Sequence, residues 1–233
     1  MGVALAIIAV TFIIIFGYFI YSQSQLLRLI EETPTSPIGK VTGGLTEIKG
    51  DIVSIDEPII SPLTKKPCVY LRLVIEELRS SGKNSRWVTI KSKLLTRRFH
   101  LDDGTGQAVI ELEKAQIDFE VDNHRSCGML NNAPPDFEDL LKRFGLSSQG
   151  LMFNNNYRCS ETILEEGDRL YVLGEPNTKG DLPFFDGSLG DVFFVSDKSE
   201  EELTNELVWK VFAECMMLVV LLCLGYFFYT NVQ

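Results

Sequence analysis

Two long apolar segments, one near each end of the chain, limit what this protein can fold into. Residues 2–21 contain no charged side chain, and residues 211–230 contain one, Glu214. A hydrocarbon core of about 30 Å is crossed by about 20 helical residues, so each segment is long enough to span a bilayer. We therefore predict transmembrane helices at residues 2–22 and 211–230, with juxtamembrane segments, a helix and linker at 23–37 and a helix at 199–210.

The first apolar segment is better explained by an uncleaved anchor than by a signal peptide. No Lys or Arg precedes it, and no small-x-small cleavage site follows it. Glu214 lies one turn inside the second segment, next to Lys210, and is interpreted as an interfacial residue. The chain is therefore predicted to be an integral membrane protein with a domain held between two spans.

The sequence leaves open which side of the membrane this domain faces. Lys and Arg residues near the predicted spans, such as Arg28 and Lys210, lie on the domain side of both spans. The positive-inside rule then favours the cytoplasm, although acidic residues surround the C-terminal lysines.

The charge of the chain restricts its partners. With 32 Asp and Glu against 22 Lys and Arg, the formal net charge is −10, and the apolar segments contribute almost nothing to it. Such acidity argues against binding to nucleic acid or to anionic lipid headgroups. The expected partners are the bilayer itself, other membrane proteins and a second copy of the chain.

The region between the spans, residues 38–198, is predicted to be mainly β. Residues 68–77 show the clearest period-two alternation, and residues 39–48 and 51–55 are predicted as strands on either side of Gly50. Residues 102–106 contain an Asp-Gly pair typical of a tight hairpin turn. The punctuation of the strands favours an OB-like or similar partly closed barrel.

Two helical features interrupt or follow these strands. Within residues 134–145, Phe137, Leu140, Leu141 and Phe144 recur at helical spacing, which predicts a small helical insertion. Ser199 and Glu202 have the spacing of a capping box, so a helix is predicted to begin there and to continue into the second apolar segment.

The sequence contains no recognisable catalytic motif, and we expect no cofactor. Three residues resemble a partial metal site: His124, Cys127 and Cys159. A structural zinc site needs four ligands, so free buried thiols are the simpler interpretation of the cysteines. The absence of a disulfide framework also favours a reducing compartment.

Four segments of the chain resemble the GIDE domain, also called the "beside a membrane" (BAM) domain. They are residues 61–77, 99–106, 161–174 and 195–199. The motif residues are Ser61, Pro62, Leu63, Pro67 and Cys68 in the first segment, Asp102, Gly104, Thr105 and Gly106 in the second, Glu161, Gly167, Asp168 and Gly174 in the third, and Ser196 in the fourth. The resemblance covers residues 38–207 and includes both flanking helices.

The resemblance implies an architecture of helix, β-rich membrane-proximal domain and helix. In eukaryotes the family is best known from mitochondrial outer-membrane ubiquitin ligases, in which a RING finger follows the second span. No RING-type set of Cys and His is present in these 233 residues, so ligase activity is not expected to carry over. The resemblance implies a domain on the intermembrane-space side, opposite to the charge bias, and RING-less architecture favours a prokaryotic source.

Three functional hypotheses follow. The first is a non-catalytic adaptor or scaffold for other membrane proteins, with loops at 133–156 and 176–190 and strand addition as the means of binding. The second is a RING-less component of an E3 ubiquitin ligase. The third is a metal- or redox-sensing domain that uses His124, Cys127 and Cys159.

Overall fold

The computed structural model describes residues 2–53, 57–81, 84–128, 131–150 and 154–231. The chain divides into two compact units. The helical unit comprises Met1–Pro34 and Lys198–Gln233, and the β unit comprises Thr35–Asp197. Three α-helices are present in the described residues: α1 (Gly2–Glu32), α2 (Pro135–Arg143) and α3 (Glu200–Asn231).

The helical unit is a pair of long helices in contact with each other. The predicted first span and the helix after it form one unbroken helix, α1, and α3 likewise runs through the whole second apolar segment. Within the described residues, one helical segment, Thr11–Glu32, is long and apolar enough to cross a membrane. The second span stays a prediction.

The capping box at the start of α3 is confirmed. Ser199 Oγ accepts a hydrogen bond from Glu202 N at 3.3 Å, and the Glu202 carboxylate accepts one from Ser199 N at 2.9 Å. These two bonds satisfy backbone N–H groups that the first turn of a helix leaves without partners.

The β unit contains strands that lie in three sheets. In chain order they are β1 (Thr46–Val53), β2 (Ile59–Ile60), β3 (Pro67–Cys68), β4 (Tyr70–Ser81), β5 (Asn84–Thr96), β6 (Phe99–Asp102), β7 (Gln107–Ile110), β8 (Gln116–Asp118), β9 (Asn123–Cys127), β10 (Tyr157–Leu164), β11 (Arg169–Gly174), β12 (Phe184–Phe185) and β13 (Phe193–Ser196). The large sheet has the order β12-β7-β6-β1-β11-β13-β8, the second sheet β5-β4-β10-β9, and β2 pairs with β3.

The prediction of a mainly β domain is confirmed, but the described strands form no closed barrel. The two end strands of the large sheet, β12 and β8, do not pair with each other, and β4 and β10 belong to a separate sheet. Alternating hydrophobicity identifies a strand but not its neighbours. The short end strand β12 pairs in parallel with β7, and the short end strand β8 pairs in parallel with β13. Parallel pairs of this kind cannot be predicted by joining consecutive strands into hairpins.

The predicted helical insertion is present as α2, and it is part of the core. Phe137, Leu140 and Leu141 are buried in one cluster with Leu71 and Leu73 of β4. The apolar side of α2 therefore packs within the β unit, so this side of the helix is not free to bind a partner.

The prediction of a strand at residues 39–48 is wrong over most of its length. A single 3-10 turn occupies Ile38–Lys40, and Gly43 and Gly44 have φ values of 119° and 77°, outside the β region. Instead, β1 begins later and runs through Gly50 without a break. The first three residues of the predicted strand at 51–55 are the end of β1, and its last two residues lie outside the described part.

The predicted tight turn joins β6 to β7 and also holds the start of the β unit in place. Gly104 has a φ of 80°, as the turn requires. Asp103 Oδ2 accepts a hydrogen bond from Ile38 N at 2.8 Å, and Thr105 Oγ1 accepts one from Gly39 N at 3.1 Å. A Cβ atom at Gly39 would lie 2.4 Å from the carbonyl oxygen of Thr105, so only glycine fits there.

We expect Gly39→Ala to destabilise the protein by about 1–3 kcal/mol, because the added methyl group forces the turn and the chain entry apart. Thermal unfolding of the full chain in detergent, followed by near-UV circular dichroism, measures the effect. Gly180→Ala is the matched control, since the nearest atom to a Cβ there lies 3.9 Å away. Equal stability of the two variants would contradict this close approach.

Candidate functional site

Parts of two motif segments, residues 61–68 and 161–168, meet in the β unit although about a hundred residues separate them. The antiparallel pair β2–β3 closes the first segment into a loop, with Ile60 opposite Pro67. After this loop, Val69 N donates a hydrogen bond to Leu164 O at 2.8 Å, at the end of β10. The strand that follows, β4, pairs with β10 along the length of β10.

A buried carboxylate lies at the centre of this junction. The side chain of Glu161 projects from β10, and the residue is 0% exposed. One carboxylate oxygen accepts hydrogen bonds from Ser61 Oγ at 2.5 Å and Leu63 N at 3.4 Å, and the other lies 3.2 Å from Thr64 Oγ1. We call Glu161, Ser61, Leu63 and Thr64 the Glu161 cluster.

The loop that supplies these donors is itself fixed by hydrogen bonds. Ser61 Oγ accepts a hydrogen bond from Thr64 N at 2.9 Å and lies 2.8 Å from Thr64 Oγ1. Pro62 limits the backbone between them, and Lys65 takes the left-handed conformation with a φ of 63°. These hydrogen bonds and backbone restrictions hold the donors in position around the carboxylate.

The Glu161 cluster does not have the arrangement of an active site. A serine next to a carboxylate resembles part of a catalytic pair, but both Ser61 and Glu161 are 0% exposed, so a substrate has no access to them. Hydroxyl and amide donors satisfy the buried carboxylate, as buried polar groups require. The cluster is thus a structural joint between β10 and the loop at residues 61–66.

The turn after β10 ties the second sheet to the large sheet. Gly167 has a φ of 93° and its N–H donates to Ile52 O at 2.9 Å, while Ile52 N donates to Asp168 O at 2.9 Å. Next to this turn, Lys66 Nζ lies 2.7 Å from a carboxylate oxygen of Glu165. Both motif residues of the turn, Gly167 and Asp168, therefore hold β1 in place.

Acidic groups crowd this turn. Burial raises the pKa of the Asp168 carboxyl, the nearby charges of Glu165 and Asp122 raise it further, and the hydrogen bond from Glu165 N lowers it in part. In the described part of the chain, no group of three or more His, Cys, Asp or Glu is placed to hold a metal ion.

In the turn between β6 and β7, by contrast, the carboxyl pKa values are lowered. Burial alone raises the pKa of Asp103, but hydrogen bonds from Ile38 N, from the Thr105 hydroxyl and N–H, and from Gly106 N outweigh it and lower the pKa overall. The side chain of Gln107 and Gly104 N lower the pKa of Asp102 in the same way.

The last two motif residues have packing roles. A Cβ atom at Gly174 would lie 3.0 Å from the ring of Phe193, on the paired strand. Ser196 Oγ donates a hydrogen bond to Asp118 O at 2.8 Å and so holds β8 against β13.

The three cysteines of the β unit are buried thiols. Burial first, and then the negative charges of Glu161 and Glu165, raise the pKa of Cys68 to about 11. Burial likewise raises the pKa of Cys159 to about 12, with a further contribution from Glu161, and it raises the pKa of Cys127. A reactive cysteine needs an accessible, low-pKa thiol, and these have neither property.

His124 lies on the opposite face of its sheet from the two cysteines suggested as fellow ligands. In β9, His124 is opposite Ser160 of β10, and its Nδ1 lies 3.2 Å from the Ser160 hydroxyl on the exposed side. Cys127 and Cys159 belong to the alternate, buried positions of the same strand pair. The structure does not bring His124, Cys127 and Cys159 together.

Sequence reasoning missed a second buried carboxylate, Glu47 of β1. It is 0% exposed, accepts a hydrogen bond from Tyr171 Oη at 2.7 Å and forms an ion pair with Lys49 at 3.0 Å. The hydroxyl of Thr35 donates to it as well, which ties the first residue of the β unit to β1. The alternation of β1 gives no sign that this acidic position faces inward.

The sequence predicts a strand at residues 87–91, but sequence reasoning missed that this strand, β5, runs from Asn84 to Thr96 and lies at the edge of its sheet. Its Trp87 ring stacks against the guanidinium of Arg158, with 4.5 Å between the guanidinium carbon and the ring centroid. That guanidinium also binds Glu76 through two nitrogens, at 2.5 and 3.0 Å. The available signal was the absence of any acidic residue from 84 to 98 in an acidic chain.

We expect Ser61→Ala to lower the free energy of unfolding by about 1–3 kcal/mol, because it leaves a buried carboxylate without its shortest hydrogen bond. Thermal unfolding in detergent measures it, with Ser92→Ala on the exposed face of β5 as the control. The effect of Ser61→Ala is expected to shrink in a Glu161→Gln background, where no buried charge remains. Additive effects of the two substitutions would contradict the coupling.

We expect Cys68, Cys127 and Cys159 to resist a membrane-impermeant maleimide at pH 7 until the protein unfolds. The measurement is labelling with and without denaturant, in a background where Cys215 and Cys223 are replaced by serine. Ser92→Cys supplies an exposed thiol as the positive control. Rapid labelling of Cys127 or Cys159 in the folded chain would instead favour the redox-sensing hypothesis.

Comparison with protein families gives a match to the GIDE model, described as E3 ubiquitin ligase, over residues 73–228. The motif segments at 99–106, 161–174 and 195–199 fall inside the match, and the segment at 61–77 begins before it and overlaps it from residue 73. No curated protein and no solved structure matches the chain. Because the family model covers more than half of the 233 residues, the chain belongs to the GIDE family.

Proposed function

We propose that this chain is a two-span membrane protein that presents its β unit as a non-catalytic adaptor for other membrane proteins. The observation that carries the proposal is the pairing of α1 with α3. Gln23 of α1 donates a side-chain hydrogen bond to the Glu214 carboxylate of α3 at 3.3 Å. Polar pairs of this kind join neighbouring helices within membranes.

The surface of α3 supports a second span. Large apolar side chains of this helix are exposed in the helical unit: Val208, Trp209, Phe212, Met216, Met217, Val219, Val220, Leu221 and Leu222. Such a surface is stable in lipid and unfavourable in water. With α1 and α3 paired, the β unit is tethered at both of its ends, which raises its effective concentration toward partners in the same membrane.

Two spans require both chain ends to lie on one side of the bilayer and the β unit on the other. In sealed vesicles, short tags at the two ends are expected to be protected from protease together, while maleimide reaches Ser92→Cys from the other side. Tags on opposite sides would contradict the two-span arrangement. The same measurement shows which side the β unit faces.

The adaptor role is tested by capture of the full-length protein from its own membranes in mild detergent, followed by mass spectrometry. We expect one or two stoichiometric membrane partners. The variant Lys40→Glu, in which one exposed surface charge is reversed, is captured in parallel as the control for partners that bind non-specifically. Recovery of the protein alone after cross-linking in intact membranes would contradict the adaptor role.

The family description favours one alternative, a component of an E3 ubiquitin ligase. A RING-type pair of four-coordinate zinc sites needs about eight Cys and His ligands, whereas these 233 residues contain five Cys and two His. Ligase activity would thus need a module beyond these residues. Capture of a RING protein or a ubiquitin-conjugating enzyme in the same experiment would support this alternative.

A further inference from the structure

The strand β5 forms a long open edge of the second sheet. In the order β5-β4-β10-β9, its outer side has no neighbour among the described strands. It has 13 residues, whereas the other edge strands of the two larger sheets, β8, β9 and β12, have 3, 5 and 2. No residue of β5 is buried, and the exposed fraction is 36% for Trp87 and 60% for Leu94.

The edge is strongly basic in an acidic protein. Residues 84–98 carry five cations, Arg86, Lys91, Lys93, Arg97 and Arg98, and no acidic side chain, while the chain as a whole has a net charge of −10. Arg98 forms an ion pair with Glu111 at 2.9 Å.

The pairing of β5 with β4 sorts the side chains of this edge onto two faces. Arg86, Lys91 and Lys93 lie opposite Arg79, Ile75 and Leu73, all alternate positions on one face of β4. Trp87 and Leu94 lie opposite Leu78 and Arg72 on the other face. A bulge at Ile75/Glu76 shifts the register between the two strands and places Arg86 and Lys91 on the same face. Without the bulge, these two side chains would lie on opposite faces.

We infer that the open edge of β5 binds an extended peptide in which acidic and apolar residues alternate. Added as a fifth strand, such a peptide pairs its backbone with the free N–H and C=O groups of β5. Its acidic side chains then face Arg86, Lys91 and Lys93, and its apolar side chains face Trp87 and Leu94. This inference rests on the adaptor role and names the surface and the class of partner.

Charge separates this occupant from the others. A second copy of β5 on the same edge would place cations opposite cations, which disfavours pairing between two copies. A lipid surface satisfies the cations but does not pair with a row of backbone groups in register. Edge lysines also protect a sheet from aggregation, but that role predicts no selective binding of an acidic, alternating strand.

The test uses the full chain in phosphatidylcholine nanodiscs and a fluorescent peptide with the sequence Glu-Val-Glu-Ile-Glu-Val-Glu. A peptide of the same composition in the order Glu-Glu-Glu-Glu-Val-Val-Ile is the ligand control. We expect the alternating peptide to bind, more tightly at low salt, and to slow hydrogen exchange of backbone amides in residues 84–96. Equal affinity for both peptides, or no change in exchange at β5, would overturn the inference.

The double variant Lys91→Glu/Lys93→Glu is expected to raise the Kd for the alternating peptide by at least about tenfold. The charge-matched control is Lys40→Glu/Lys179→Glu, whose side chains are exposed outside β5 and whose Kd is expected to change less than about twofold. Matching unfolding curves show that both variants are folded. An unchanged Kd in the β5 variant overturns the inference.

Three outcomes separate this inference from its alternatives. Charge-dependent binding to phosphatidylserine vesicles that the peptide does not compete away would identify lipid as the occupant and overturn the peptide. If Lys91→Glu/Lys93→Glu still captures the wild-type membrane partners, the adaptor role stands and the assignment of β5 fails. If the wild-type chain captures none, the adaptor role fails whether or not the peptide binds.

Discussion

The hydrogen bonds to the buried carboxylate of Glu161 are the constraint on which the β unit depends. A buried carboxylate costs free energy unless donors surround it. Here the donors come from the loop at residues 61–64, which is remote in sequence, so β10 and this loop stabilise each other. The same strand continues into the turn at 165–168, whose backbone pairs with Ile52 of β1. The strand β10 thereby couples the second sheet to the large sheet. Loss of the hydrogen bonds to Glu161 is therefore expected to destabilise both sheets.

The residues on which the sequence resemblance to the family rests form contacts between separate segments of this chain, which we call joints. Ser61 and Glu161 close one joint, Gly167 and Asp168 a second, and the turn at residues 102–106 a third against Ile38 and Gly39. Each joint uses a short side chain, a glycine or a carboxylate because a close backbone approach or an unpaired N–H demands it. Because such residues hold the architecture together, they carry no information about the partners of the domain. The chemistry of its partners must then be read from the surface.

Local features of the fold were predictable from the sequence, and non-local ones were not. The helix at α2, the capping box at Ser199 and the turn at Gly104 follow from short-range patterns, and the structure confirms them. Strand order was not predictable, since pairing in parallel of β8 with β13 depends on residues almost eighty positions apart. The convergence of Ser61 with Glu161 was missed for the same reason. The motif residues stay a prediction as family markers, and the contacts that the structure gives them lie outside any single window of the sequence.

The attachment of the β unit to a helix at each of its ends and its open edge strand β5 would contribute to binding in different ways. Strand addition to an exposed edge gains only backbone hydrogen bonds and a few side-chain pairs, so its intrinsic affinity is modest. In the proposed two-span arrangement, a double tether to the membrane compensates, because a partner confined to the same bilayer would meet the edge at high effective concentration. The basic face of β5 then contributes selectivity more than affinity: it repels a second copy of the same edge and favours an acidic strand. The rest of the protein is acidic and therefore repels an acidic strand. It does not compete with the cationic edge of β5 for that strand.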